Sequence, residues 1–188
     1  MKIFVLALAF VSPFTMAANW QLDNSQSSLH FVSVKNDTVA EVHQFKQLSG
    51  NWDGAKVNIS IAADSLDTQI PIRNERIWQY VLKSSDYAAI TVRAELNEQN
   101  IKTLSVGGST VQEIPLNVTI SGTTATVNSK VRITRLSSTA LQANTEAPLM
   151  LSTSSFKLTD GVAKLQELAG LKRIDPIVPV SFSVRFTQ

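Results

Sequence analysis

Residues 114–133 read IPLNVTISGTTATVNSKVRI, and this stretch carries the strongest structural signal in the chain. Every second residue from Ile114 to Ile120 is apolar, and a similar alternation resumes beyond Thr124. Successive side chains of a strand point to opposite faces, so this period of two predicts strands with one apolar face. The turn residues Ser121-Gly122 lie between the two runs. The stretch therefore predicts a β-hairpin.

The same alternation recurs elsewhere along the chain. It is clear in residues 56–61, 90–96 and 180–186. Strands with one polar and one apolar face are typical of antiparallel sheets, because buried parallel strands are apolar throughout. Further strands are expected in four segments: Trp20 to Asp23, Ser28 to Lys35, Thr38 to Leu48, and parts of Leu141 to Leu158. We expect one all-β domain of about eight or more antiparallel strands.

Two segments have a helical pattern instead. Pro71 suits the first turn of a helix, and residues 72–83 continue it. A second helix is expected over residues 161–169, with Asp160 as its N-cap and Gly170 as its stop. We expect these two short helices to plug or cover a barrel.

The N-terminus has the pattern of a secretory signal peptide. Lys2 precedes the apolar run Ile3–Val11, and Thr15-Met16-Ala17 carries residues that suit a cleavage site. The run is too short to cross a bilayer, and no later apolar run approaches that length. We expect a signal peptide at 1–17 and one mature domain at 18–188, located in the periplasm, with no transmembrane segment in the mature chain.

Composition excludes several classes of protein. The chain has no cysteine, so disulfide-stapled scaffolds and anchoring through a lipidated cysteine are excluded. Once Lys2 is removed, 16 Lys and Arg residues stand against 15 Asp and Glu residues, and the two signs are interspersed. A chain without a basic run is not expected to bind nucleic acid.

The sequence offers no catalytic or metal-binding motif. His30 and His43 lie on different predicted strands, and neither has a partner at metal-ligand spacing. Nucleophile elbows, phosphate-binding loops and dinucleotide fingerprints are all missing. Asp64 and Asp67 flank a short turn, where Asp usually organises the backbone. We therefore expect no enzyme activity, no metal and no cofactor.

The remaining feature is apolar surface that faces one way on many strands. Such surface can fill the core of a packed sandwich. A closed eight-stranded barrel instead leaves an interior that side chains fill or that holds one small ligand. Periodicity does not decide between these two interpretations.

Several segments together resemble the YceI-like family of bacterial periplasmic lipid-binding proteins. Trp20-Gln21-Leu22-Asp23 and Ser28-Leu29-His30-Phe31 are similar to the family's opening, an aromatic-x-x-Asp turn followed by Ser-x-x-Phe. The other similar segments are residues 41–45, 48–50, 65–68, 73–76, 156–158 and 178–182. The chain departs from the family pattern at Ser33 and Lys35, where an apolar residue and a histidine are expected, and at Tyr87, which no proline follows.

The resemblance implies a lipocalin-like antiparallel barrel that holds an amphiphilic lipid, such as an isoprenoid quinone or a polyprenyl lipid, in its lumen. A homodimer is compatible with it. Motif position assigns His43, Arg73 and Asn74 to the lipid headgroup. The residues expected to line or close the lumen are Leu29, Phe31, Ser33, Phe45, Trp52, Val57, Ile59, Ile61, Ile77, Trp78, Val92, Leu116, Val118, Val131, Ile133, Leu165, Leu168, Phe182 and Val184.

Two other functions are compatible with the same strands. One is a solid-core β-domain that acts as a periplasmic protein-interaction module, without ligand or catalysis. The other is an enzyme that acts on the lipid. An enzyme would need a polar cluster inside the lumen, and the predicted inward faces carry almost no polar residues.

Overall fold

The computed structural model describes residues 19–96 and 98–188, so the expected signal peptide lies outside the described residues. Eleven strands form one sheet. They are β1 Trp20–Lys35, β2 Val39–Phe45, β3 Leu48–Trp52, β4 Lys56–Ala62, β5 Leu66–Asp67, β6 Ala89–Glu95, β7 Ser109–Ile120, β8 Thr123–Ser137, β9 Ala140–Thr145, β10 Leu149–Ser152 and β11 Ile177–Thr187. The helices are α1 Pro71–Arg76, α2 Glu98–Lys102 and α3 Thr159–Leu168, with 3₁₀ turns at Ala63–Ser65 and Thr153–Phe156.

Eight of the strands close into a barrel. The ring runs β1, β3, β4, β6, β7, β8, β9 and β11, and β11 pairs again with β1. Every pairing in the ring is antiparallel. The predicted all-β, antiparallel barrel of about eight strands is confirmed.

The β7–β8 hairpin lies where its sequence predicted it. Ile120 pairs with Thr123, and only Ser121 and Gly122 connect the strands. Both have positive φ, 47° and 76°, which is the backbone of a type I′ turn. The Ser121 hydroxyl lies against the Val81 and Leu82 carbonyl oxygens, at 3.1 and 2.8 Å. The turn therefore also anchors the end of a helix against the barrel.

A polar bulge interrupts β1 in its middle. Asp23 pairs with Arg185, but the next pairing along β1 joins Ser28 to Ser183. The Asn24 amide bridges to the corner between β2 and β3, since its Oδ1 accepts from the Leu48 N–H at 2.7 Å and its Nδ2 donates to the Lys46 carbonyl. The bulge thus allows the single long strand β1 to take part in two regions of the barrel wall.

The two halves of β1 have different neighbours. Trp20 and Gln21 pair with β3, whereas Leu29–Lys35 pairs with β2. β11 is divided in the same way, between β9 at its C-terminal end and β10 at its N-terminal end. The C-terminal half of β1 and the N-terminal half of β11 lie at the same end of the barrel. At that end the wall therefore splays outward through the additional strands β2, β5 and β10.

Helices cover part of the splayed end. α1 continues into a π-helical turn, Ile77–Leu82, which ends at Lys83 with a φ of 49°. α3 packs against this turn at Gly161, where a Cβ would collide with the Tyr80 carbonyl oxygen. Gly170 follows α3 with a φ of 61°, as the predicted stop requires.

Some boundaries differ from their predictions. The segment Thr38 to Leu48 is two strands, because the chain turns at Lys46 and Gln47. Asp160 is not the N-cap of α3, since the helix starts at Thr159, two residues before the predicted start, and has no side-chain cap. The short helix α2 had no sequence prediction. No helix among residues 19–96 and 98–188 is long and apolar enough to cross a membrane.

Candidate ligand-binding cavity

The inward face of the barrel is built from registered apolar pairs. Leu29 lies opposite Phe182 and Phe31 opposite Val180 at the β1–β11 seam. Val92 lies opposite both Ile59 and Val118 in the neighbouring strands. Alternation therefore brings one apolar residue in two from each strand to the interior.

These side chains enclose a cavity of about 310 Å³ rather than a solid core. The volume is at the lower end of the range for ligand-binding pockets. Four lining residues are polar, Ser33, Ser152, Thr153 and Asp175, and the rest are apolar. The lining includes these predicted residues: Leu29, Phe31, Ser33, Phe45, Trp52, Val57, Ile59, Ile61, Ile77, Val92, Leu116, Val118, Val131, Ile133, Leu165, Phe182 and Val184.

Two residues predicted to close the lumen lie outside its lining. Trp78 packs against the core from the π-helical turn, and its indole nitrogen is buried without a hydrogen-bond partner. Leu168 is the last residue of α3, where its carbonyl oxygen lies 3.3 Å from the Arg76 guanidinium. Both residues are half-buried. Trp78 directly follows Ile77 and therefore lies about 100° around the helix from it. Leu168 shares the face of Leu165 but lies one turn further along, at the end of α3.

One end of the cavity, which we call the sealed end, is closed by large side chains. Trp20 and Trp52 lie across β1 and β3 with ring centroids 5.7 Å apart. Ile101 of α2, Leu141 and Phe186 complete this end, and none of the five is more than 6% exposed. The indoles and α2 together exclude water from the sealed end.

The opposite end, which we call the mouth, is lined by Ser33, Leu151, Ser152, Ile174, Asp175 and Val178. All six are half-buried although they line the interior. The segment Arg173–Asp175 is held to the end of β1, since the Asn36 N–H donates to the Arg173 carbonyl and the Asp175 N–H to the Val34 carbonyl. The splayed strands therefore frame an entrance to the lumen.

Most of the residues predicted to hold a headgroup form hydrogen bonds with other residues of the protein. The Asn74 Oδ1 accepts from the Thr68 hydroxyl at 2.6 Å and from the Thr68 N–H at 2.9 Å. Arg73 binds the Glu41 carboxylate at 2.8 Å and the Thr68 carbonyl at 2.6 Å. These bonds hold the β5–α1 connection, so Asn74 and Arg73 are positioned as structural residues.

His43 differs from the other two predicted headgroup residues. Its register with Phe31 places it on the inward face of the wall, where it is 4% exposed. Its Nε2 lies 2.8 Å from the Ser33 hydroxyl, and its Nδ1 has no hydrogen-bond partner in the described part of the chain. Burial lowers the pKa of His43, and the nearby Arg73 guanidinium lowers it further.

The Glu41 carboxylate organises the charges around His43. Lys35 and Arg73 both lie 2.8 Å from its Oε2, and hydrogen bonding from Lys35 is the largest cause that lowers the pKa of Glu41. Two cations thus share one carboxylate beside the imidazole. This arrangement favours a neutral His43.

Sequence reasoning missed the part of the mouth formed by Ile174 and Asp175. The segment between α3 and β11 has no periodic pattern, and its role depends on pairing with the distant end of β1. No three His, Asp or Glu side chains in the described part of the chain are placed to hold a metal ion.

The closed barrel, the apolar lumen and the framed mouth define a lipocalin-like barrel with interior space for an apolar molecule. The family model for the YceI-like domain matches residues 20–186. The chain therefore belongs to the YceI-like family.

Solved structures agree with this assignment. A polyisoprenoid binding domain from Saccharophagus degradans, implicated in plant cell wall breakdown, is 28% identical, with a TM-score of 0.87 over 92% of this chain and 99% of that one. Burkholderia cenocepacia BcnA is 18% identical, with a TM-score of 0.67 over 87% of this chain and 98% of that one, and it shows the fold alone. No curated protein sequence matches the chain.

Proposed function

We infer that the protein is a periplasmic carrier of a long amphiphilic lipid, such as an isoprenoid quinone or a polyprenyl lipid, and that it performs no chemistry on it. The observation that carries this proposal is the apolar cavity of about 310 Å³ inside the closed barrel. An empty interior favours a carrier over the solid-core interaction module, which would fill the same space with side chains. The similarity to a polyisoprenoid binding domain adds support.

The length of the lumen suits a lipid chain. The residues of β11 that line it run from Val178 to Phe186, which is about 26 Å of strand and about 20 Å along the axis of a tilted barrel. One leaflet of a bilayer core is about 15 Å thick. A chain longer than one leaflet therefore has room to lie along the lumen.

The net free energy of lipid binding is a small difference between a favourable burial contribution and an unfavourable association cost. Enclosing roughly 500 Å² of lipid at about 25 cal/mol per Å² gives on the order of 12 kcal/mol. Association costs of about 4–15 kcal/mol offset much of this gain. Affinity therefore depends on how freely the chain enters and fills the lumen.

The lumen has little with which to catalyse a reaction. Of its polar residues, Asp175 accepts from the Ile177 N–H, and the Ser152 hydroxyl bonds to that of Ser154. The buried imidazole of His43 contacts Ser33 but no carboxylate. These contacts support a binding role.

The proposal is tested by extracting the protein with organic solvent after purification from its own periplasm. We expect about one equivalent of an isoprenoid lipid per chain in the mass spectrum of the extract. The stripped protein should take up an added isoprenoid quinone, which would quench the fluorescence of Trp52 in the lumen wall. An empty extract together with no uptake would contradict the proposal.

The cellular location is tested on the same material. Osmotic shock should release a chain whose mass corresponds to a start at Ala18. A full-length chain recovered from the cytoplasm or the membrane would contradict the proposed location.

A further inference from the structure

The contact between Ser33 and His43 determines which kind of polar group the mouth of the cavity can bind. The Ser33 hydroxyl lines the mouth of the cavity and lies 2.8 Å from His43 Nε2. Either group could donate this bond, depending on which nitrogen of the imidazole carries the proton. The direction of the bond decides what the hydroxyl can offer to a molecule in the lumen.

The surroundings of His43 decide the direction. Burial and the Arg73 guanidinium both lower the pKa of His43, which favours the neutral ring near neutral pH. Its Nδ1 is buried without a partner. A proton on Nδ1 would be a buried donor without a partner, whereas a proton on Nε2 has the Ser33 oxygen as its acceptor. These contacts favour the tautomer with its proton on Nε2, which donates to the Ser33 oxygen.

This direction leaves the hydroxyl hydrogen of Ser33 available. The Ser33 hydroxyl has no other hydrogen-bond partner among the described residues. We propose that the Ser33 hydroxyl donates a hydrogen bond to the lipid headgroup and so selects lipids whose polar end presents an acceptor, such as a carbonyl oxygen. This inference rests on the proposed function, and it makes Ser33 a specificity-determining residue and His43 the residue that positions it.

The other two polar side chains of the mouth already form hydrogen bonds within the protein. The Ser152 and Ser154 hydroxyls lie 2.8 Å apart and share one hydrogen bond, in which either can donate. Asp175 offers a carboxylate, which only accepts. Among these side chains, Ser33 is the one whose hydroxyl hydrogen is left free by the favoured direction of its own hydrogen bond.

The test compares two isoprenoids of equal carbon number, a methyl ketone and a hydrocarbon, for binding to the stripped protein. The ketone cannot donate a hydrogen bond to Asp175. Any tighter binding of the ketone than of the hydrocarbon therefore measures its hydrogen bond with Ser33. We expect the wild type to bind the ketone roughly twofold to tenfold more tightly, the value of one net hydrogen bond. Ser33→Ala should abolish the difference, and Ser33→Thr should keep it because the hydroxyl remains.

Ser28→Ala is the matched control, since it removes a hydroxyl from the outward face of the same strand. It should keep the ketone preference. Equal binding of both lipids by the wild type, or a preference that survives Ser33→Ala, would overturn the inference and leave the carrier function intact. Failure to bind either lipid would overturn both.

The nitrogen NMR spectrum of His43 tests the bond direction independently of binding. We expect a protonated Nε2 and an unprotonated Nδ1 near neutral pH. The reverse pattern would mean that Ser33 donates to His43, and it would overturn the inference even if lipid binds.

Discussion

The sealed end and the mouth of the barrel are built from different residues, although the same strands run through both. Phe186 closes the sealed end and is 6% exposed, whereas Phe182, on the same face of β11, is half-buried beside the cavity. The sealed end packs against two indoles and α2. At the mouth, small hydroxyl residues and one carboxylate line the open part of the cavity.

This difference separates stability from binding along one lumen. A side chain at the sealed end is almost completely buried, so its removal leaves a space that the surrounding residues do not fill. A side chain near the mouth already faces a cavity, so less packing is lost when it is truncated. The sealed end should therefore determine stability, and the mouth should determine which molecule enters.

The largest effect is expected from the matched pair Phe186→Ala and Phe182→Ala. Phe186→Ala should lower the free energy of unfolding by about 3–5 kcal/mol. Phe182→Ala should cost less than half as much, because Phe182 is only half-buried whereas Phe186 is 6% exposed. Urea denaturation of the lipid-free proteins measures both values. Equal losses would mean that the two ends are packed alike.

The second prediction concerns obstruction at the mouth. Ser33→Trp should leave a folded barrel but reduce copurified lipid at least tenfold, because the indole occupies the entrance. Val32→Trp is the control, since Val32 lies on the opposite face of β1, where it pairs with the exposed Val42. It should retain lipid.

Thermal melting of the same preparations separates obstruction from misfolding. A Ser33→Trp protein that melts far below the wild type would point to overpacking in a tight core, which costs about 1–3 kcal/mol. An intact variant with undiminished lipid would show that Ser33 does not face the ligand.

The smallest effect is a pH dependence that arises near the mouth. The pKa of His43 is held below its ordinary value of 6.5, mainly by burial. The unfolded chain therefore takes up a proton at higher pH than the folded chain does. The contribution of His43 to stability is complete above pH 6.5 and declines as pH falls through its folded pKa.

Urea denaturation between pH 8 and pH 5 measures this decline, with His43→Gln as the non-titrating control. The variant should lose less stability over this range than the wild type. The carboxylates with lowered pKa, such as Glu41, titrate below about pH 4.5 and contribute little there. Identical pH profiles would mean that His43 is as easily protonated in the barrel as in the unfolded chain.

Local patterns were sufficient to predict most of the lumen. Alternation places Val57, Val92 and Val118 on inward faces, because the period of two depends only on the strand itself. The Ser121-Gly122 turn could be predicted for the same reason, because the type of a two-residue hairpin turn depends on its own residues. The helix from Pro71 and the stop at Gly170 were also predicted by local signals.

The mouth depends on contacts between distant segments, so it was harder to predict. Asn74 matched a family motif, but its side chain supports Thr68, which only the folded connection reveals. Asp175 reaches the lumen through pairing with the end of β1. The splaying of β2 and β10 follows from a change of partners along β1 and β11, and no periodicity encodes such a change.

The seam between β1 and β11 has a consequence for how the chain folds. It joins the first and last strands of the described chain, with Gln21 opposite Thr187. The β7–β8 hairpin can form within microseconds from neighbouring residues, but the seam requires closure of a loop that contains nearly the whole domain. Until β11 arrives, the sheet has two unpaired edges, which are templates for association with other chains. Ring closure is therefore the late, slow step, and aggregation competes with it until the last strand is in place.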